Sequence, residues 1–154
     1  MYNALLVSHN LLRWVVLILI LVTIFKGFSG WSGSKTYTKG DDKLRLFSVL
    51  SVHIQLIIGI VLYFISPITK MFMNNFSDAV KDSSIRFFGM EHSIMMIIAV
   101  VLITIGSAKA KRKIEDKKKF RTLAIWFTIA SLIMLASIPW EFSPMASRPN
   151  FRGF

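Results

Sequence analysis

Residues 4–28 read ALLVSHNLLRWVVLILILVTIFKGF, and this stretch decides the fold. Between Trp14 and Phe25 no residue is charged, and Thr23 alone is neither aliphatic nor aromatic. A transmembrane helix needs about 20 mainly apolar residues to cross about 30 Å of hydrocarbon at about 1.5 Å per residue. Lipid offers no water to unpaired backbone groups, so a spanning run of this kind must be helical. Ser8, His9 and Arg13 interrupt the apolar face near one end, and Lys26 marks the other.

Three more segments of the same character follow, at about 46–65, 87–106 and 123–140. Of the 154 residues, 54% are hydrophobic. A soluble domain does not collect such an excess into four long runs. The expectation is an all-α, integral membrane, four-helix up-down bundle forming a single domain over residues 1–154. The N-terminal run resembles a secretory signal only superficially. Residues 1–10 hold no Lys or Arg, and the run closes on a lysine instead of a small-residue cleavage site, so it reads as a retained helix.

The connections differ in kind. Residues 30–42 are turn-rich. Pro67 ends the second span, and residues 67–86, with Met71, Phe72, Met73 and Phe76, predict a short amphipathic interfacial segment. Pro139, Pro144 and Pro149 stop helix beyond the fourth span and predict an extended tail from Glu141.

The formal net charge of +11 sits mainly in these connections. Lys26, Lys35, Lys39, Lys43 and Arg45 flank the first, and eight Lys or Arg fill residues 107–121. Thirteen basic residues therefore lie on one side, against Lys70, Lys81, Arg86, Arg148 and Arg152 on the other. The positive-inside rule puts the thirteen in the cytoplasm and both termini outside, in the periplasm of a Gram-negative host. The same distribution argues for anionic headgroups as the partner and against nucleic acid, since no recognition fold accompanies the charge. Trp14, Trp31, Trp126 and Trp140 are expected near span ends, where indoles favour the interface.

Little in the sequence carries chemistry. Cysteine is absent, which excludes disulfides, thiolate metal sites, a cysteine nucleophile and covalent c-type haem attachment. No HExxH, P-loop, GxGxxG or Ser-His-Asp pattern occurs, which argues against hydrolytic and nucleotide-dependent enzymes. The three histidines, His9, His53 and His92, all fall inside predicted spans. Ionisable groups there are costly and face the bundle interior or a cavity. They serve either as interhelical hydrogen-bond partners or as ligands.

Depth separates the pairs. His9 and His92 fall near the outer surface, His92 about 8 Å down, whereas His53 runs from the opposite side and lies about 20 Å from that surface. His9 and His92 are therefore the first-choice ligand pair for one haem iron, across the diagonal of the bundle, and His53–His92 is the second. Arg13 follows His9 by four residues, on the same helix face, positioned for a haem propionate or for snorkelling to headgroups. Glu91 is a candidate to orient a histidine or to pair with Arg13. Gln55 and Gly59 read as a packing face. Met90, Met95 and Met96 near His92 offer soft thioethers suited to copper(I), or plain apolar filling.

Four stretches, SHNLLRW at 8–14, SVHIQL at 51–56, EHSIMM at 91–96 and SIPW at 137–140, resemble the small four-helix cytochrome-b-like membrane proteins of Bacteroidota over nearly the whole chain. The resemblance implies a multi-pass protein of the bacterial inner membrane, with histidines at these three positions and b-type haem as cofactor. It implies no defined substrate. The paired histidines on one helix expected of di-haem cytochromes b are missing, which puts a second haem in doubt. The function expected is a haem-b electron carrier or redox-complex subunit, non-catalytic by itself and docked on a larger membrane redox complex. The rival is a cofactor-free accessory subunit. A third reading, with quinone as partner, uses Glu91 and the histidines as proton-handling groups.

Overall fold

The computed structural model describes residues 1–143 and Ala146. Its elements are α1 (Tyr2–Ser32), α2 (Lys39–Ile65), α3 (Pro67–Asn74), α4 (Phe76–Ala79), α5 (Ser83–Arg86), a π-helical turn (Phe87–Glu91), α6 (His92–Lys111) and α7 (Asp116–Ser137). No strand occurs among the described residues. Among the described residues, four helical segments are long and apolar enough to cross a membrane: Tyr2–Ser32, Lys39–Ile65, Ser83–Lys111 and Asp116–Ser137. The shortest has 22 residues, about 33 Å at the α-helical rise.

The helices form a closed ring in which α1 packs on α2, α2 on α6, α6 on α7 and α7 back on α1. That places α1 and α6 on one diagonal. The centre is filled by Val16, Ile20, Val52, Ala99, Ile103, Phe127 and Ala130. The outward faces are apolar as well: Ile18, Phe25, Phe47, Ile57, Phe64 and Leu132 are all exposed. Contact with lipid, which is as apolar as a core, accounts for such a surface. Association between spans then depends on close packing and interhelical polar contacts. α1 and α7 use the first: a Cβ on Gly27 would fall 2.9 Å from the backbone N of Ala124. α1 and α2 use the second, through Thr23 and Ser48, whose buried hydroxyls meet at 2.8 Å.

Span boundaries differ from those read in the sequence. α2 begins at Lys39, seven residues before the predicted start, because Thr38 and Asp41 make a capping box. The turn-rich stretch thus shrinks to residues 33–38, and the basic connection between α6 and α7 shrinks to residues 112–115. Most of the predicted basic loop is helix. Around this end Lys26 bonds Asp41 at 2.8 Å, and Arg45, 4% exposed, reaches both Asp42 and Ser107.

At the opposite end α3 is the expected amphipathic segment. It buries Phe72 and exposes Met71 and Met73. Asp82 caps α5, and the backbone N–H of Ile85 with the Ser84 hydroxyl holds its carboxyl below the usual carboxylate range. The stretch after α7 is not simply extended: Ser143 N–H donates to the Trp140 carbonyl in a turn, and the Trp140 indole N–H donates to Leu135 O. Pro144, Arg148, Pro149 and Arg152 lie outside the described residues.

Trp126 and Trp14 depart from the expected aromatic belt. Trp126 is ten residues into α7 from Asp116, about 15 Å along the axis. Trp14 is twelve residues into α1 from Tyr2, about 18 Å along the axis. Its ring lies 6.0 Å from that of Trp140, so it sits level with the end of the shorter α7 and not with the end of its own helix.

Candidate functional site

The chemistry-bearing residues gather near the end of α7, on the α1–α6 diagonal. His92 is set by the π turn, in which its backbone N–H reaches back five residues to Phe87 O. Such a turn inserts one extra residue and rotates everything after it. Two contacts hold it. The Tyr63 hydroxyl donates to Gly89 O at 2.7 Å. The Phe72 ring rests on Gly89, where an added Cβ would overlap it.

Nδ1 of the His92 ring lies 2.7 Å from the carbonyl oxygen of Ser137. A carbonyl can only accept, so Nδ1 carries the proton and Nε2 is left with its lone pair. The Ser137 carbonyl is available because it ends α7, with Pro139 two residues on. The Phe87 and Phe88 rings flank the imidazole, with centroids 5.7 and 6.3 Å away.

His9 approaches from α1. It lies within electrostatic range of both His92 and Arg13. Its Nδ1 is buried with no hydrogen-bond partner, a state that carries a cost unless something else meets it. Gln55 Nε2 donates to the His9 carbonyl at 2.8 Å, and Gly59 leaves room for the ring, its hypothetical Cβ standing 3.3 Å from His9 Cε1. The Gln55–Gly59 face of α2, read as general packing, is thus the wall against which His9 stands. Arg13 lies between indoles, with Cζ 5.2 Å from the Trp14 ring and 5.8 Å from that of Trp140, within cation–π range.

The structure therefore places Arg13 and His92 against the same 137–140 segment, with His9 one helical turn before Arg13 on α1, and leaves His53 apart. His53 Nε2 lies 3.0 Å from Thr104 Oγ1. Thr104 spends its own proton on Val100 O, so Nε2 of His53 is the donor. Thr104 is twelve residues along α6 from His92, about 18 Å. His53 is an interhelical hydrogen-bond partner there.

Glu91 does not meet Arg13; it pairs with Arg86 at 2.6 Å. Consecutive residues on a helix point in different directions, and the π turn carries Glu91 toward α5. Met96 packs on the central apolar cluster. Among the described residues, no three His, Cys, Asp or Glu side chains come together as a metal-ion cage. Sequence reasoning noted Ser137 only within the SIPW stretch and as a packing contact, and missed Tyr63 and Gly89. Two of these act through backbone carbonyls, which no residue type announces. The isolated Gly89 just ahead of His92 was the one visible hint of a close approach.

No family model, curated protein or solved structure matches this chain.

Proposed function

We propose that this protein is a small haem-b-binding electron-transfer protein, or a subunit of a larger membrane redox complex, in the inner membrane of a bacterium. The excess of basic residues around the 33–38 and 112–115 connections supports a cytoplasmic position for them and an outer position for both termini. One observation carries the functional reading. His92 gives its Nδ1 proton to a backbone carbonyl and keeps Nε2 for a ligand, with a second imidazole from the diagonal helix within electrostatic range. A metal-bound histidine almost always donates its other ring N–H to an acceptor of this kind, which fixes tautomer and ring orientation.

The residues present fit the group. His9 and His92 would hold it, with Nδ1 of His9 a buried ring nitrogen that lacks a hydrogen-bond partner, and Arg13 would take a propionate. Bound haem supplies reversible one-electron chemistry at a potential set by its ligands and surroundings. The chain's own part is to orient two imidazoles, to place one cation beside them, and to exclude water through the Trp14–Trp140 pair. A site close to one end of the bundle calls for a redox partner docked on that side.

The test is a reduced-minus-oxidised visible spectrum of the protein purified in mild detergent from haem-replete cells. A sharp α-band is expected, lost in His9→Ala and in His92→Ala and kept in His53→Ala. A flat difference spectrum of the parent protein removes the proposal.

A cofactor-free accessory subunit is the second reading. It is favoured by His53 and His92, both of which already bond a neighbouring helix or its end. Under it, His92→Ala costs stability and no spectral change occurs. The quinone reading loses its motive in the Glu91–Arg86 pair, which gives the carboxylate a structural occupation. It returns only if a quinone-dependent activity is lost in Glu91→Gln.

A further inference from the structure

A second feature lies at the opposite end of the molecule, independent of the histidines. Where α6 gives way to α7, a pocket of about 330 Å³ is lined by Lys113, Lys118, Arg121, Thr122, Ile125 and Trp126. Its upper wall is cationic. Lys118 shares its charge with Glu115 at 2.6 Å, and Arg121 rests on the Trp31 ring at 5.4 Å from the centroid. Lys109 holds its ammonium 4.4 Å from the centre of the Trp126 ring, adding a further positive charge at the rim.

The lower wall is apolar and does not end at the pocket. On α7, residues 118, 122, 125, 129 and 132 fall on one helical face at three- and four-residue spacing. The first two are polar, while Ile125, Ile129 and Leu132 are apolar and exposed. One stripe thus passes from cationic to aliphatic over about 21 Å of helix. A small hydrophilic anion would use only the top of such a surface. A molecule with a phosphate at one end and hydrocarbon below it would use the whole.

We propose that this pocket binds the headgroup of an anionic glycerophospholipid, with its phosphate taken by Lys113 and Arg121 and an acyl chain laid along Ile125, Ile129 and Leu132. Arginine suits the role because its planar fork meets two phosphate oxygens at once. A basic pocket at a helix boundary on the cation-rich side of a membrane protein is where such headgroups are recognised.

The test is thermal unfolding of the full chain in a neutral detergent, titrated with phosphatidylglycerol, with phosphatidylcholine of the same acyl chains, or with inorganic phosphate alone. A saturable rise in midpoint is expected with phosphatidylglycerol and none with the other two at equal concentration. The double variant Lys113→Gln/Arg121→Gln should lower the lipid-free midpoint only by what the Arg121–Trp31 contact contributes and weaken the apparent affinity for phosphatidylglycerol about thirtyfold. The pair Lys35→Gln/Lys39→Gln, which removes the same charge outside the pocket, should leave it unchanged. Equal weakening in both pairs would show a diffuse charge effect and overturn the site. A rise matched by inorganic phosphate would reassign it to a free anion, and no rise with phosphatidylglycerol would remove it.

Discussion

At the residue scale, His92 and its support explain how a membrane helix presents an imidazole inward. Tyr63, Phe72 and Gly89 hold the π turn, and the π turn sets the azimuth of His92. Gly89→Ala would press a methyl onto the Phe72 ring. Overpacking of this kind costs about 1–3 kcal/mol, so the midpoint of thermal unfolding in detergent should fall by several degrees. A smaller loss from Gly89→Ala in a Phe72→Ala background than in the parent would assign it to this contact; an undiminished midpoint in Gly89→Ala would show that the ring gives way freely. Tyr37, in the connection between α1 and α2, makes a second residue-scale prediction. Burial, reinforced by the Asp42 carboxylate, pushes its phenol up to about 12. A raised pKa means that the folded state holds the proton more tightly. Its stabilising contribution is complete below the ordinary phenol value of 10.0 and is lost as pH rises toward about 12. Across that window the parent protein should lose stability faster than Tyr37→Phe, and parallel pH curves would contradict the assignment.

At the scale of elements, helix starts follow local chemistry that hydropathy does not register. α2 enters the bundle with Lys39, Asp41 and Arg45 already helical, since Thr38 and Asp41 satisfy each other's backbone N–H groups. Lys26 then ties that cap to α1. Thr38→Ala removes the hydroxyl from both partners and should cost about 0.5–2 kcal/mol. The loss should be read as faster hydrogen exchange confined to the first turn of α2; uniform acceleration along the helix would argue against a local cap. α7 is the other instructive element. It is the shortest span, and its early end leaves the Ser137 carbonyl free to face His92 and brings Trp140 level with Trp14. Counting from helix ends matches His9 and His92 in depth, and His53 stands beside Thr104, about 18 Å along α6 from His92.

At the scale of the whole molecule, two chemically different ends are held apart by an apolar middle. One end carries His92, Arg13 and two indoles; the other carries the Lys26–Asp41 and Arg45–Asp42 pairs and the basic pocket. The four-span arrangement puts residues 33–38 and 112–115 on one face and α4 on the opposite one. Because the chain has no cysteine, single replacements Ser34→Cys, Lys113→Cys and Ser77→Cys can be labelled cleanly with an impermeant maleimide on intact cells. Ser77→Cys should react from outside and the other two only after lysis. Reaction of Ser34→Cys and Ser77→Cys from the same side would contradict the arrangement of spans.

Hydropathy, length and the distribution of lysine and arginine were sufficient to define four helices, since apolar backbone in lipid has no other way to satisfy its hydrogen bonds. They also drew attention to all three histidines, because an ionisable side chain in that setting is conspicuous. Which way each imidazole faces is a matter of rotation about its helix axis and of where the helices stop. For His92 the π turn at Phe87–Glu91 and the early end of α7 decide it. These are matters of backbone carbonyls and packed rings. They exist only once separate segments touch, and no periodicity within a single segment encodes them.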